Sequence, residues 1–400
     1  MNKTNLNTPE GTRDVIFEEV SLYTDITDRL TRVFETNGFR HVSTPAVEYY
    51  DVFDADKSIR QESMYKLTDM SGRLIVLRAD NTTPMARVAA TKLKSMDYPR
   101  KLYYNQHIYR INGGWSGRRS EILQCGIEII GATGIKSDLV CINTAIQSLA
   151  SLGLDYKIEL GHVGYYNAMI NELGLSEAER RMLRTYVERK NLEKISQYDK
   201  ISKIPLLYGG DEVFNDARVI SEGNTEAAKA LEYVATLYEI LREAGYGEHV
   251  MIDMGIVHDI DYYTGTVFRG YIEGAGEPVL AGGRYDNLMK SFGEDSPATG
   301  FAINICLVAD TVSKREGLAD CRPPEYVIHF DNDGFSAAEC FRRQLEAQNI
   351  RYEYSCFDNS NETIAFAERM SIPNIAVADK KGITVIRTEK EAGNDQTCID

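Results

Sequence analysis

Two tyrosine hydroxyls beside a carboxylate form the most chemically suggestive stretch of this chain, Asp261-Tyr262-Tyr263-Thr264-Gly265-Thr266-Val267-Phe268. A β-favouring run with alternating character follows the pair. Further on stand Ala281-Gly282-Gly283-Arg284-Tyr285-Asp286 and then Gly300-Phe301-Ala302-Ile303-Asn304. Glycine pairs let backbone approach a ligand or a neighbouring strand closely, and the Arg-Tyr-Asp that follows can reach a polar small molecule. The plainer reading is a glycine-rich antiparallel hairpin whose tyrosines are half buried for packing.

Three more places upstream carry polar groups at telling positions. Leu77-Arg78-Ala79-Asp80-Asn81-Thr82 closes a strand and leads into Thr83-Pro84, a helix opening. Asp80 and Thr82 there can serve helix amides as caps, or a ligand, or both. A strand over 102–110 ends in Tyr109-Arg110-Ile111-Asn112, and a loop with Arg118-Arg119 returns to Glu121-Ile122-Leu123-Gln124-Cys125-Gly126-Ile127-Glu128. Glu121, Gln124 and Glu128 do not keep one strand parity, which predicts a bulge or bend near Gln124.

The elements that must position these groups follow from periodicity. Leu22, Ile26, Leu30, Val33 and Phe34 recur at helical spacing and predict a helix over about 18–36, stopped by Asn37-Gly38. Pro45 marks 39–49 as an edge or interface strand. Residues 64–68 and 73–78 read as a hairpin, 138–152 as a helix and 156–161 as a strand. Residues from 164 to about 246 read as mostly helical, an inserted subdomain expected to stand apart from the sheet. Beyond Cys321-Arg322-Pro323-Pro324, strands alternate with helices to 387, which implies a small α/β sheet. The expected division is a main domain over 1–322 with its helical insertion at about 165–250, a small α/β domain over 323–390, and a polar, disordered tail over 391–400.

Composition narrows the class. The chain has 400 residues, 43% hydrophobic and 26% charged, as in ordinary soluble proteins of two or three domains. Met1-Asn2-Lys3-Thr4-Asn5 lacks an apolar signal core and no run is long enough to span a bilayer, so a cytoplasmic location and no membrane contact are expected. Seven scattered cysteines without a Cys-x-x-Cys pair argue against a zinc site and a disulfide scaffold, and no metal or cofactor is called for. A net charge of −15 argues mildly against a grip on tRNA.

Taken in order, DYYTGTVF, GGRYD and GFAI, with the helix and strand around Pro45 and the 102–128 hairpin, resemble histidyl-tRNA synthetase. The match covers most of 8–307 and, more loosely, 325–388. It implies an α+β fold of the class II aminoacyl-tRNA synthetase type: an antiparallel sheet flanked by helices, a helical insertion, and a C-terminal α/β domain resembling an anticodon-binding domain. It implies a homodimer paired through the Pro45 element. It also implies a histidine pocket made of Asp80, Thr82, Arg110, Gln124, Glu128, Tyr262 and Tyr263. A neutral imidazole offers one donor and one acceptor, so an amide and a carboxylate complement it.

The resemblance breaks where ATP would be handled. Asn112 replaces an acidic residue, Leu307 stands where an ATP-clamping arginine belongs, and His258 replaces another arginine. Adenylate formation needs fixed cations for developing charge, and one lost donor costs about 3 kcal/mol. An unperturbed imidazole is mostly neutral at pH 7, so a histidine at 258 is no fixed cation in place of a guanidinium. A kept amino-acid pocket with a broken ATP site resembles the regulatory subunit family of ATP phosphoribosyltransferase. That likeness implies no catalysis by this chain, a short-form catalytic transferase as partner in a hetero-octamer, and feedback by L-histidine on the first step of histidine biosynthesis. The alternative is a divergent histidyl-tRNA synthetase, opposed by Asn112, His258 and Leu307.

Overall fold

The structure, a computed structural model, describes residues 6–54, 59–112, 118–257, 263–317 and 323–388. Two compact units divide the chain, one over 1–319 and one over 320–400.

The first unit carries twelve of the strands: β1 (Arg40–His41), β2 (Val47–Tyr49), β3 (Lys66–Thr68), β4 (Leu74–Leu77), β5 (Arg100–Tyr109), β6 (Glu121–Ile130), β7 (Tyr156–His162), β8 (Tyr208–Gly209), β9 (Val250–Asp253), β10 (Thr266–Ile272), β11 (Leu280–Arg284) and β12 (Ala298–Asn304). Nine of them form one sheet in the order β1-β5-β6-β12-β11-β10-β7-β9-β8. Its pairings are antiparallel except β1 with β5 and β7 with β9. This is the class II arrangement, a mostly antiparallel sheet with helices. The strand expected over 39–49 is instead two short pieces, because β2 leaves the large sheet and joins β4 and β3 in a sheet of its own.

The helix Phe17–Thr36 shows why the large sheet holds together. It buries Ile26, Leu30 and Phe34, four residues apart, against the sheet. Each such side chain, fully buried, contributes about 1.5–3 kcal/mol. Gly38 ends the element at φ +80°, a left-handed conformation that glycine adopts freely. Helices Ile135–Ser151 and Thr225–Leu241 cover the same face.

The helical stretch does not stand apart as expected. Val163, Tyr165, Leu183, Val187, Val234 and Leu237 are all buried, and most belong to the same core as Leu160 and Ile252 of the sheet. Gly209 of β8 even pairs with Ile252, extending the sheet edge. The apolar stripes that suggested a separate subdomain are the lid of the main core.

The opposite face is more thinly covered. Met85, Ala86, Ala89, Leu102, Tyr104, Tyr285 and Met289 make a small core beneath the helix Thr82–Thr91. The candidate site opens on this face.

The second unit is a four-stranded sheet of β13 (Tyr326–Phe330), β14 (Tyr352–Tyr354), β15 (Asn374–Asp379) and β16 (Gly382–Arg387), ordered β14-β13-β15-β16. The first three are parallel, joined through helices Phe335–Ala347 and Ser360–Met370, and β16 is antiparallel. The tail 391–400 lies outside the described residues. Among those described, no helix is long and apolar enough to cross a membrane, and no His, Cys, Asp and Glu side chains gather as metal ligands.

Candidate functional site

β5 and β6 pair in unbroken antiparallel register from Arg100↔Ile130 to Tyr109↔Glu121, so the expected bulge near Gln124 is absent. Parity resolves the spacing without one. Gln124 and Glu128 share a face, and Glu121 points to the other.

Gln124 and Glu128 line a cavity of about 190 Å³ together with Asp80, Thr82, Tyr104, Arg110, Tyr263, Tyr285, Gly300 and Asn304. Six of the seven residues picked from the sequence therefore converge. Tyr262 lies outside the described residues, as do His258 and Asp261. A space this small falls below the roughly 300–1,000 Å³ of drug-sized sites and suits an amino acid better than a nucleotide.

The cavity has two unlike ends. Arg110 stands at the open one, its side chain 35% exposed, with Nη2 4.0 Å from Asp80 Oδ2. Arg110 Nε donates to the Ala79 carbonyl at 2.7 Å, which fixes the fork. Asp80 also caps the following helix, its Oδ1 accepting from the Thr83 amide at 2.8 Å. Capping uses Oδ1 and leaves Oδ2 toward Arg110, so one side chain can serve the helix and still offer an oxygen to a ligand.

Glu128 marks the closed end, 1% exposed. Its Oε1 accepts from the Thr82 hydroxyl at 2.8 Å, and its Oε2 from the Tyr285 hydroxyl. Burial pushes its carboxyl up from the ordinary 4.5 to about 8; the two hydroxyls pull the other way and the Asp80 charge adds to the rise. The carboxylate fits there because Gly300 faces it: a Cβ at Gly300 would come within 1.9 Å of Glu128 Oε2.

Tyr285, one of the Arg-Tyr-Asp residues expected to reach a small molecule, and Tyr104, which sequence reasoning missed, are 2% and 1% exposed in this wall. Alternation decides which of the three faces the cavity. Gly283 pairs with Gly300, which pairs with Glu128, so Gly283 and Tyr285 lie toward the cavity and Arg284 lies away. Arg284 does not reach the pocket ligand as expected. It is buried on the helix side against Asp138, Nη2 to Oδ1 2.6 Å.

Leu307 sits in the first turn of the helix Ile305–Glu316, half-buried against the main core. Its amide is capped by Asn304 Oδ1 at 3.1 Å. Arg110 is the one guanidinium lining the cavity among the described residues. A larger space of about 560 Å³ lies elsewhere, lined by Arg13, Tyr23, His107, Arg119, Glu121, Cys306 and Asp310. Two of its three arginines are held in ion pairs, Arg119 with Asp310 at 2.6 Å and Arg13 with Glu19, and the third, Arg118, is exposed. The smaller cavity holds the convergent, unequally buried polar groups and is the better site.

Comparison with known proteins bears on the family and the fold. The family model described as histidyl-tRNA synthetase matches residues 11–308. The ATP phosphoribosyltransferase regulatory subunit of Clostridium acetobutylicum is 40% identical over 395 residues, 94% of this chain and 96% of that protein. That of Clostridium botulinum strain 657 is 38% identical over 379 residues, covering 91% and 90%. A solved ATP phosphoribosyltransferase regulatory subunit/histidyl-tRNA synthetase from Bacillus halodurans superposes with a TM-score of 0.79 at 29% identity, over 91% of this chain and 97% of the other. A histidyl-tRNA synthetase from Nostoc sp. PCC 7120 shares the fold, with a TM-score of 0.73 at 20% identity over 96% and 95%. The chain belongs to the histidyl-tRNA synthetase family and, within it, to the ATP phosphoribosyltransferase regulatory subunits.

Proposed function

We propose that this chain is the non-catalytic regulatory subunit of ATP phosphoribosyltransferase in histidine biosynthesis, that it binds L-histidine in the 190 Å³ cavity, and that occupancy inhibits a short-form catalytic partner. One observation carries the reading: amino-acid-sized polar recognition is gathered in one place, while Leu307 packs into apolar core where a phosphate clamp would need a cation. A cytoplasmic location goes with that role.

The two ends of the cavity suit the two ends of the ligand. Arg110 takes the α-carboxylate as a charge-assisted pair and Asp80 the α-ammonium. The imidazole goes to the closed end, where Thr82, Glu128, Tyr285 and Tyr104 offer both donors and acceptors. Burial decides this order, because a zwitterion belongs at the wet end and a neutral ring at the dry one.

The test uses the full chain with its catalytic partner. The two should co-purify, and histidine should inhibit the complex. The chain alone should give no histidine-dependent exchange of pyrophosphate into ATP, and Leu307→Arg should change neither histidine affinity nor feedback. Pyrophosphate exchange above background would favour the divergent synthetase instead.

A homodimer, and a hetero-octamer built from such dimers, extends the proposal. β2 and its neighbours leave Val47, Tyr49 and Leu67 exposed at 42%, 44% and 45% on one face beside Pro45. A second copy would cover that apolar face. Tyr49→Asp should accordingly lower the mass of the chain from dimer to monomer by light scattering, and an unchanged mass would remove this face from the interface.

A further inference from the structure

Asn81 stands in the sequence between Asp80, at the open end of the cavity, and Thr82, at the closed end, yet it has no assigned part in it. Its side chain is 1% exposed. Nδ2 lies 3.2 Å from Gln124 Oε1 and 3.5 Å from the Gln106 carbonyl oxygen. A backbone carbonyl only accepts, so the end of the Asn81 amide turned toward both must be its NH2.

Gln106 gives that contact a fixed reference. It pairs opposite Gln124 in the β5–β6 ladder. Its own Nε2 donates to the Thr44 carbonyl at 2.9 Å and the Ser43 hydroxyl at 3.1 Å, while its Oε1 accepts from the Thr44 hydroxyl at 3.1 Å. Polarity therefore runs outward from the sheet. The Gln106 carbonyl orients Asn81, Asn81 Nδ2 holds Gln124 Oε1, and the NH2 of Gln124 is the end left for the cavity.

The other end of Asn81 indicates why it is there. Oδ1 is buried with no hydrogen-bond partner among the described residues. A buried orphan acceptor is a cost to the fold, so stability alone does not account for asparagine at this position.

We infer that Asn81 is a positioning residue that holds the Gln124 amide with its NH2 toward the ligand, so that the cavity selects an amino acid with a free α-carboxylate. The inference rests on the histidine reading above and deepens it. Gln124 and Arg110 both line the cavity with donors, and an α-carboxylate brings them two charged acceptor oxygens where an alcohol brings one neutral oxygen. L-Histidine should thus bind far better than L-histidinol.

The experiment measures the Kd of L-histidine and of L-histidinol on the full chain by calorimetry. Asn81→Leu frees the Gln124 amide to turn; it should leave the melting temperature unchanged or higher and lower the preference for histidine by about tenfold. Asn81→Asp cannot donate and draws the Gln124 NH2 back, so the preference should fall further. Gln124→Glu places a carboxylate against the ligand's own and should lose histidine while retaining histidinol. A wild-type chain that binds histidine, with a preference that stays within about twofold in all three variants, overturns this inference and leaves the histidine reading standing. A wild-type chain that binds no histidine overturns both.

Discussion

Glu128→Ala is expected to weaken L-histidine binding by roughly ten- to a hundredfold and to relieve histidine inhibition of the transferase complex to the same extent. The complex itself should stay assembled, because Glu128 is buried inside the cavity and reaches no surface. The size follows from what alanine removes. The imidazole loses its one carboxyl partner, and the hydroxyls of Thr82 and Tyr285 lose theirs in a dry wall. Feedback falls with affinity because an effector shifts an equilibrium only by its differential affinity for the two states. A typical coupling of about 1–3 kcal/mol is within reach of a single lost contact of this kind. Calorimetry on the free chain and inhibition assays on the complex read the two effects separately. Full histidine inhibition in the Glu128→Ala complex would put the feedback site elsewhere.

The raised carboxyl gives the same residue a pH signature. With its value at about 8, Glu128 mostly holds its proton at pH 7 in the empty cavity. Free histidine carries a neutral imidazole above about 6.5. Between those limits the ring and the carboxyl bring one proton between them and keep one, so binding exchanges none with buffer. Above pH 8 the empty carboxyl has ionised, binding must recover the proton, and affinity falls. Glu128→Gln removes this upper limb while keeping much of the affinity at pH 7. Affinity that instead rose through pH 8, with proton release, would place the α-ammonium on Glu128. For the unliganded protein the sign runs as linkage requires. The folded-state value lies above the ordinary one, so the stability contributed by neutral Glu128 is complete below about 4.5 and is lost as pH rises to about 8. The Glu128→Gln chain should keep that stability in mild alkali.

Much of the site was legible because it rests on local order. Arg110, Gln124 and Glu128 lie on one hairpin whose alternation can be counted, and Asp80 and Thr82 lie on one helix entry. What was not legible depends on pairs distant in the chain. The face on which Arg284 lies follows from β11 pairing with β12, and β12 with β6, which no single segment displays. The mostly helical stretch from 164 to about 246 was read as a separate body for a related reason. Its apolar stripes could be seen, but not that β7 and β9, which bracket it in the sequence, pair with each other and form the sheet end that it covers. The bulge near Gln124 was inferred from the broken parity of Glu121, Gln124 and Glu128, which the unbroken ladder resolves by leaving Glu121 on the opposite face.

Arg284 carries the second large effect, on stability rather than binding. Its guanidinium donates to Asp138 through Nη2 and Nε at 2.6 and 3.2 Å, to the Ser137 hydroxyl at 2.6 Å, to Asp286 at 3.1 Å and to the Ala132 and Gly134 carbonyls at 3.3 Å. Asp138 in turn accepts from the hydroxyls of Tyr233 and Thr266 at 2.9 and 3.0 Å. The pair thus joins β11, β10, the start of helix Ile135–Ser151 and helix Thr225–Leu241. With side chains 8% and 1% exposed, neither charge can turn to water if the other is lost. Arg284→Met should therefore cost about 3–5 kcal/mol, read as a lower denaturant midpoint for the first unit. The double replacement Arg284→Met with Asp138→Leu should recover most of that loss, since removing both charges also removes their desolvation. Histidine affinity of the folded protein should be unchanged in the double variant, because Arg284 lies away from the cavity that Tyr285 lines. A single variant as stable as wild type would mean that water reaches Asp138, and a double variant that folds but no longer binds histidine would return Arg284 to the site.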